Sequence, residues 1–244
     1  MALLTLEAVS VSHWRGDNEI KALRGVSLSV TTGELVAVYG KASAGKTTLL
    51  QCAAGLARPD QGRVLFEGRD LSQCSARELV RLHRRRIAWV ERSGPRSRDL
   101  PIATYVALSL YREAGAAEAR RRALEALDKV GASRCASQRW GELTDSERVL
   151  VAIAHALVRK PRLLITDDPT HGLGLVERER VVGLLRSMAE DEGVGVLMTV
   201  PDMPAMMPAH RVLLLNLGRV VTAPEPPAEE RDNVVAFPHV HRGS

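Results

Sequence analysis

The sequence contains little cysteine and few aromatic residues. Its 244 residues include three cysteines, Cys52, Cys74 and Cys135, and aromatic side chains make up 3% of the chain. An odd number of widely spaced cysteines provides neither a disulfide framework nor the ligand spacing of a zinc site. This scarcity excludes the disulfide-rich secreted class and is typical of a protein that works in a reducing compartment.

Long apolar runs and a basic leader are also missing. No apolar stretch approaches the roughly 20 residues that a membrane-spanning helix needs, and the N-terminal residues lack the basic segment that begins a signal peptide. We therefore expect a cytoplasmic chain that reaches a membrane only through a partner.

The sequence does contain a substantial apolar fraction and a mild excess of basic charge. Hydrophobic residues account for 45% of the chain, and 34 Lys and Arg against 29 Asp and Glu give a net charge of +5. Because the basic residues are scattered among acidic ones, we interpret them as solvated surface. The length is compatible with one α/β domain or a domain with a sizeable insertion.

The chain is organised around a glycine-bounded loop that follows a short apolar run and precedes a segment of helical composition. The loop consists of Gly40, Lys41, Ala42, Ser43, Ala44, Gly45, Lys46, Thr47 and Thr48. A strand, such a loop and a Lys-Thr pair opening a helix make a P-loop, whose backbone N–H groups and helix N-terminus converge on phosphate. We expect Lys46 to reach the β- and γ-phosphates of ATP and Thr47 to coordinate Mg²⁺. The predicted strand before the loop and the predicted helix after it argue against a chance match to the P-loop pattern.

A second element of a phosphate site follows further along the chain. Residues 162–166 form an apolar run that predicts a buried strand, and the run ends in Asp167 and Asp168. A carboxylate at the end of a strand downstream of a P-loop is the Walker B arrangement, in which Asp167 holds Mg²⁺. The alternative is an aspartate that caps a turn after a core strand.

These motifs make the chain resemble the ATP-binding subunits of ABC transporters over residues 3–221. The similarity covers the P-loop, the alanine-rich run 152–157 and the Walker B run 163–170, and residues 20–28 and 62–68 resemble the lipoprotein-releasing and macrolide-efflux branch. The resemblance implies an α/β fold. Its P-loop NTPase core has a mostly parallel sheet, with an N-terminal antiparallel β-subdomain and an inserted α-helical subdomain at about residues 92–159. The ATP-binding domain would occupy residues 1–222. The Pro- and Glu-rich composition of residues 223–244 predicts a disordered tail.

Several nucleotide-binding positions of that family carry other residues here. Ser43 stands where the family usually has glycine. The adenine-stacking aromatic falls at His13, with Trp14 beside it as a second candidate, and the Q-loop glutamine falls at Glu91. The Mg²⁺ ligands implied by the resemblance are Thr47, Asp167 and Glu91.

The positions that drive hydrolysis in the family are altered more severely. Asp168 replaces the glutamate that positions the attacking water, Val200 replaces the switch histidine, and Gly174 replaces the D-loop aspartate. The signature sequence, which contacts the nucleotide of the opposite subunit, is represented by Thr144, Asp145, Ser146 and Glu147.

These replacements separate ATP binding from ATP turnover. The carboxylate of Asp168 lies back by more than ~1 Å relative to glutamate, a misplacement that can cost on the order of 10²-fold in rate. Val200 can neither donate a hydrogen bond to phosphate nor accept a proton. Asp145 places a carboxylate near a phosphate, although Thr144 and Glu147 also form a helix capping box. We therefore expect a chain that binds Mg-ATP and hydrolyses it weakly.

The resemblance implies a transmembrane permease subunit and a second ATP-binding subunit, in a homo- or heterodimer, as partners at the inner face of the cell membrane. One alternative is a regulatory module that binds ATP without a power stroke. Another is a nucleic-acid-associated ATPase, suggested by the arginine triplets 84–86 and 120–122. Helix surfaces explain both triplets without nucleic acid, and we expect no nucleic-acid partner.

The coarse secondary-structure prediction completes the expected architecture. Residues 3–11, 22–30 and 62–68 are predicted as three antiparallel strands, with a turn at residues 14–19 and a hairpin turn at residues 31–33. A single helical pattern covers residues 104–129, and the permease contact is expected around residues 95–105.

Overall fold

The computed structural model describes residues 2–90, 93–95, 97–201 and 208–221. The strands in this part of the chain are β1 (Ala2–Arg15), β2 (Asn18–Thr31), β3 (Leu35–Tyr39), β4 (Gln61–Phe66), β5 (Arg69–Asp70), β6 (Ile87–Val90), β7 (Leu163–Thr166), β8 (Gly195–Val200), β9 (Arg211–Asn216) and β10 (Arg219–Val221). The α-helices are α1 (Lys46–Ala53), α2 (Ala76–Arg85), α3 (Ile102–Ala107), α4 (Ala116–Lys129), α5 (Asp145–Leu157) and α6 (Leu175–Glu192).

The strands form two sheets. The N-terminal sheet is antiparallel, with the order β2-β1-β4-β5. The second sheet has the order β10-β9-β3-β8-β7-β6 and is parallel except for β10. The predicted α/β class, the antiparallel N-terminal strands and the mostly parallel core sheet are confirmed.

The core lies on both faces of the six-stranded sheet. Alternate side chains of β3, β7 and β8 enter one cluster beneath the N-terminal sheet and α1, and the others enter a second cluster beneath α3–α6. Strands that are apolar on both faces belong in the middle of a parallel sheet covered on both sides. The same alternation decides which side chains of β7 and β8 face the phosphate loop.

Two turn predictions need correction. The turn between β1 and β2 is shorter than residues 14–19, because Trp14 pairs with Glu19 and leaves only Gly16 and Asp17 outside the ladder. The predicted hairpin at residues 31–33 is wrong, since β3 pairs in parallel with β8 and β9 and not with β2. The first four residues of β3 are fully buried, as suits a strand of the central sheet and not of the half-exposed N-terminal sheet.

The single helix predicted over residues 104–129 is also wrong. Residues in this region form α3, a short 3₁₀ turn at 108–110 and then α4. Pro101 precedes α3, and Gly115 has the extended backbone of a helix N-cap before α4. None of the helices in the described ranges has both the length and the hydropathy that crossing a bilayer requires.

Candidate nucleotide-binding site

The phosphate loop connects the carboxyl end of β3 to the first residue of α1, and glycine is required at both of its boundaries. A Cβ atom at Gly40 would lie 2.4 Å from the carbonyl oxygen of Leu215, and one at Gly45 would lie 2.2 Å from that of Ala22. Gly45 also has a φ of +101°, which side chains other than glycine rarely adopt. The loop is therefore packed directly on the backbones of β2 and β9.

Lys46 points back along this loop. Its Nζ donates to the carbonyl oxygens of Gly40, at 2.6 Å, and Lys41, at 3.1 Å. These two bonds leave one N–H of the ammonium group for a phosphate oxygen. The lysine predicted to contact phosphate thus lies inside the concave side of the loop.

The two predicted magnesium ligands at the carboxyl edge of the sheet are in contact. Thr47 Oγ1 donates to Asp167 Oδ2 at 2.6 Å, although the two residues are 120 positions apart. A hydroxyl and a carboxylate oxygen beside a phosphate loop are hard donors of the kind that Mg²⁺ prefers, with waters and substrate phosphates completing its shell. The donor set fits Mg²⁺. The third predicted ligand, Glu91, lies outside the described residues.

Thr199 holds this edge together and was not identified from the sequence. Its hydroxyl donates to Asp167 Oδ1 at 2.6 Å and accepts a hydrogen bond from the backbone N–H of Asp168 at 2.8 Å. Thr199 is fully buried in β8, between β3 and β7. Because side chains alternate along a strand, the sequence places Thr199 on the same face of β8 as Leu197. Its hydrogen bond with Asp167 depends on the register between β7 and β8, which cannot be deduced from the sequence.

His13 faces the phosphate loop. Its Nε2 lies 3.2 Å from Thr48 Oγ1, and it borders an open cleft of about 550 Å³. Trp14 does not border this cleft and is 71% exposed, so His13 is the better placed of the two rings for stacking on adenine. The other lining residues include Glu19, Ile20, Lys21, Ala22, Arg24, residues 43–48, Leu217 and Gly218.

The carboxylate of Asp168 turns toward residues that follow it. Asp168 has a positive φ of 44°. Its Oδ2 lies 3.4 Å from His171 Nδ1, and its Oδ1 lies 3.5 Å from Thr170 Oγ1. Its side chain is 25% exposed. The predicted catalytic carboxylate therefore belongs to the residue after Asp167, and it contacts Thr170 and His171 in the turn that follows.

The other two altered positions have structural roles. Val200 is fully buried in the core cluster beneath α3–α6, on the face of the sheet away from α1. Gly174 is the N-cap of α6 and has an extended backbone. Neither residue lines the cleft beside the phosphate loop.

The signature residues lie at the start of α5, apart from that cleft. Thr144 is the N-cap, and its hydroxyl donates to Glu147 Oε2 at 2.9 Å while accepting from the Glu147 backbone N–H at 3.3 Å. The predicted capping box is confirmed. The backbone N–H and then the hydroxyl of Thr144, with Arg134, lower the pKa of the Glu147 carboxyl. Asp145 pairs with Arg148 at 3.0 Å.

The sequence matches a known family and several curated proteins. The family model described as "ABC transporter" matches residues 23–171. The lipoprotein-releasing system ATP-binding protein LolD of Psychrobacter arcticus is 32% identical over 219 residues, which are 89% of this chain and 97% of LolD. The methionine import ATP-binding protein MetN 1 of Rhodococcus jostii is 33% identical over 90% of this chain, which spans 65% of that protein. MetN of Mesorhizobium japonicum is 35% identical over 82% of this chain, which spans 55% of it.

The fold has a solved counterpart. The dimeric ATP-binding cassette MJ0796, in a post-hydrolysis state bound to ADP and Pi, superposes on this chain with a TM-score of 0.81 at 27% identity. The superposition covers 89% of this chain and 96% of the MJ0796 chain. The matched family model spans the phosphate loop and both Asp167 and Asp168. On the family match, the full-length similarity to LolD and the shared fold, the chain belongs to the ATP-binding domains of the ABC transporter family.

Proposed function

We propose that this chain is the ATP-binding subunit of a transport system that binds Mg-ATP at residues 40–48 and hydrolyses it slowly. The subunit pairs head-to-tail with a second ATP-binding domain and drives or gates a separate permease at the inner face of the membrane. The observation that carries the proposal is the 2.6 Å contact between Thr47 and Asp167, next to a phosphate loop whose lysine points inward.

The charges around the cleft support binding of a polyanion. Lys46 lies within the loop, and Lys21 and Arg24 border the cleft, opposed there by Glu19. In addition, the N-terminus of α1 directs backbone N–H groups and its positive dipole end at the loop. Thr47 and Asp167 would hold Mg²⁺, which neutralises phosphate charge when bound. His13 provides a ring beside the loop for adenine.

The geometry of the hydrolytic positions supports slow turnover. Asp168 is shorter than glutamate, and its carboxylate lies near Thr170 and His171. Val200 has an apolar side chain that is buried on the other face of the sheet. Neither residue is the glutamate or the histidine that the family has at its position, and the loss of one group that stabilises the transition state typically costs 10²- to 10³-fold, about 3–4 kcal/mol.

The partners are proposed from the relatives. LolD is named for a lipoprotein-releasing system and MetN for methionine import, and MJ0796 is a dimer. We infer that this chain pairs with a copy of itself or with a related domain, and that the pair drives or gates a permease.

The test separates binding from turnover on the purified full chain. We expect Mg²⁺-dependent binding of a fluorescent ATP analogue, lost in Lys46→Ala, together with slow phosphate release. The variant Asp168→Glu restores the longer carboxylate and is expected to raise phosphate release at least about tenfold. Asp168→Asn, which removes the charge and keeps the length of the side chain, is the matched control.

Three outcomes would change the proposal. Absence of ATP binding in the wild-type chain would contradict it entirely. Phosphate release at several per second in the wild-type chain, lost in Asp168→Asn, would contradict slow turnover. Persistent binding with no gain in Asp168→Glu, and no ATP consumption by a complex with its permease, would favour a regulatory module that works without hydrolysis.

A further inference from the structure

A second concave surface lies on the outer side of the hairpin that β1 and β2 form. Because successive side chains of a strand point to opposite faces, His13 borders the nucleotide cleft, while its neighbours Ser12 and Trp14 border this second surface. It encloses about 760 Å³, which is within the range of small-molecule sites. We call it the outer pocket. Its aromatic and charged lining residues are Trp14, Glu19, Lys21, Arg24, Asp60 and Arg219.

Trp14 forms an exposed aromatic wall of the outer pocket. The residue is 71% exposed, whereas Trp140 is buried and Trp89 is half-buried. Tryptophan is usually mostly buried, because its ring is large and apolar. An exposed indole beside polar groups is a surface on which a flat heterocycle can stack. The wall therefore points to a ligand that has an aromatic ring.

Three cations border the same pocket without a carboxylate partner. Lys21, Arg24 and Arg219 are exposed, and none of them forms an ion pair with another residue in the described ranges. The backbone N–H of Arg24 donates to the carbonyl oxygen of Gly218 at 2.8 Å, which joins β2 to the chain just before Arg219. Guanidinium groups bind phosphate through paired hydrogen bonds, and lysine binds it as a point charge. The three cations therefore favour a ligand with a phosphate group.

Ser12 positions the two carboxylates of the outer pocket. Its backbone N–H donates to Asp60 Oδ2 at 2.7 Å, and its hydroxyl donates to Glu19 Oε1 at 2.7 Å. The second oxygen of each carboxylate accepts no hydrogen bond from the part of the chain that the structure describes. A carboxylate with a free oxygen can accept from the hydroxyls of a ribose, as acidic residues do in dinucleotide sites.

We propose that the outer pocket binds a nucleoside monophosphate. The base stacks on Trp14, the three cations hold the phosphate, and the ribose hydroxyls donate to Asp60 and Glu19. Three cations against two carboxylates leave a net charge of +1. This charge suits one phosphate group, which carries about −1.5 to −2 at neutral pH, better than it suits a triphosphate. The site is separate from the phosphate loop and does not depend on the proposed function.

The test measures binding of adenosine monophosphate (AMP) to the purified full chain by calorimetry and by tryptophan fluorescence. AMP lacks the β- and γ-phosphates that a phosphate loop binds, and no Mg²⁺ is added. We expect saturable quenching of the Trp14 emission and a binding constant that falls as salt is added. Trp14→Ala should weaken AMP binding about tenfold or more in calorimetry, whereas Trp14→Phe keeps a stacking ring and should restore most of it.

Two further comparisons test the phosphate and ribose contacts, with circular dichroism as the check on the fold of each variant. Arg219→Gln should weaken AMP binding about tenfold, whereas Arg58→Gln, at an exposed arginine outside the outer pocket, should leave it unchanged. 2′,3′-Dideoxy-AMP should bind several-fold more weakly than AMP, because it lacks both ribose hydroxyls. Asp60→Asn should reduce that difference, since the amide oxygen still accepts from Ser12 but the amide nitrogen cannot accept from ribose.

Several results would overturn the inference. One is the absence of AMP binding to the wild-type chain at millimolar concentrations, and another is unchanged binding in Trp14→Ala and Arg219→Gln. Inorganic phosphate that binds as tightly as AMP would show that no base is recognised. A single-stranded oligonucleotide that binds far more tightly than AMP, and loses its binding in the same variants, would assign the surface to nucleic acid.

The variant Lys46→Ala keeps this inference apart from the proposed function. It should bind AMP as the wild-type chain does, because Lys46 does not border the outer pocket. Binding of the ATP analogue should persist in Trp14→Ala and Arg219→Gln, since neither residue borders the nucleotide cleft. Loss of AMP binding in Lys46→Ala would place AMP in the nucleotide cleft and overturn the inference. Failure of the wild-type chain to bind the ATP analogue, with AMP binding intact, would count against the proposed function alone.

Discussion

Thr199 is the residue on which the metal edge of the site depends most. Replacing it by valine keeps the shape and removes both hydrogen bonds, the one from the partly buried N–H of Asp168 and the one to an oxygen of Asp167. An unsatisfied buried polar group costs about 1–3 kcal/mol. We expect Thr199→Val to lower the free energy of unfolding by about 2 kcal/mol and to weaken Mg-ATP binding, as measured by urea unfolding and by titration with the ATP analogue.

The matched control lies on the neighbouring strand. Thr166 is also fully buried at the end of β7, but within the described residues its hydroxyl has no hydrogen-bond partner. Burying an unpaired hydroxyl is unfavourable, so Thr166→Val should be neutral or stabilising. A loss of stability equal to that of Thr199→Val would show that hydrogen bonding does not explain the difference.

Ser43 carries a conformational cost within the phosphate loop. Its φ is +61°, and a left-handed backbone costs residues other than glycine roughly 1–2 kcal/mol. Glycine would remove that cost while adding unfolded-state freedom worth about 0.5–1 kcal/mol. Ser43→Gly should therefore raise the free energy of unfolding by up to about 1 kcal/mol in urea denaturation. Ala44→Gly, at a buried residue without a positive φ, should lower it.

How much of the site could be predicted depends on how local its signals are. The phosphate loop, Lys46 and Asp167 follow from short runs whose flanking composition fixes the elements around them, and the structure brings Thr47 and Asp167 into contact. Thr199 has no motif of its own. Its role arises from the position of β8 between β3 and β7, and non-local strand pairing cannot be deduced from one sequence.

At the scale of elements, the contact between α3 and α5 contains a partly buried histidine that should make stability depend on pH. The rings of His155 and Tyr105 stack, with centroids 4.5 Å apart and an interplanar angle of 7°. Burial, with the nearby charge of Arg159, lowers the pKa of His155 from 6.5 to about 4. Its neutral form is therefore favoured in the folded state, while the unfolded state gains a proton as the pH falls below 6.5.

The sign of this linkage gives the prediction. The contribution of His155 is fully present above pH 6.5 and is lost as the pH falls from 6.5 to about 4. The loss should total about 3 kcal/mol, at 1.36 kcal/mol for each pH unit of difference in pKa. His155→Phe keeps the stacked ring and should remove that part of the slope when unfolding free energies are measured across this range. An unchanged slope in the variant would contradict the assignment.

The elements themselves were predicted well where their periodicity was strong and poorly where packing decides. The buried strand β7 follows from its apolar run. The break between α3 and α4 does not, because Ala and Arg favour helix throughout residues 104–129. The break reflects different environments: five of the six residues of α3 are buried, whereas α4 presents one apolar stripe to the core. The pairing of β3 was also predicted wrongly, because the sequence of a turn does not determine which sheet the next strand joins.

At the scale of the whole molecule, the proposed pairing of two ATP-binding domains places the start of α5 against a nucleotide held by the partner subunit. Asp145 is 70% exposed there and pairs with Arg148 at 3.0 Å. At ~5 Å and an effective dielectric constant of ~20, a carboxylate near one phosphate charge costs about 3 kcal/mol before screening. Arg148 opposes this repulsion, so the two side chains should act on ATP-dependent association in opposite directions.

This opposition can be measured by sedimentation velocity with Mg²⁺ and a non-hydrolysable ATP analogue. Asp145→Asn removes the charge without changing the shape and should tighten association up to about tenfold, since solvent and Arg148 reduce the full repulsion. Arg148→Gln should weaken association because Asp145 then faces the phosphate uncompensated. In the double variant the two effects should largely cancel. If Asp145→Asn left association unchanged while nucleotide binding to the single subunit persisted, the start of α5 would not face the partner's phosphates, and the proposed head-to-tail pairing would be wrong.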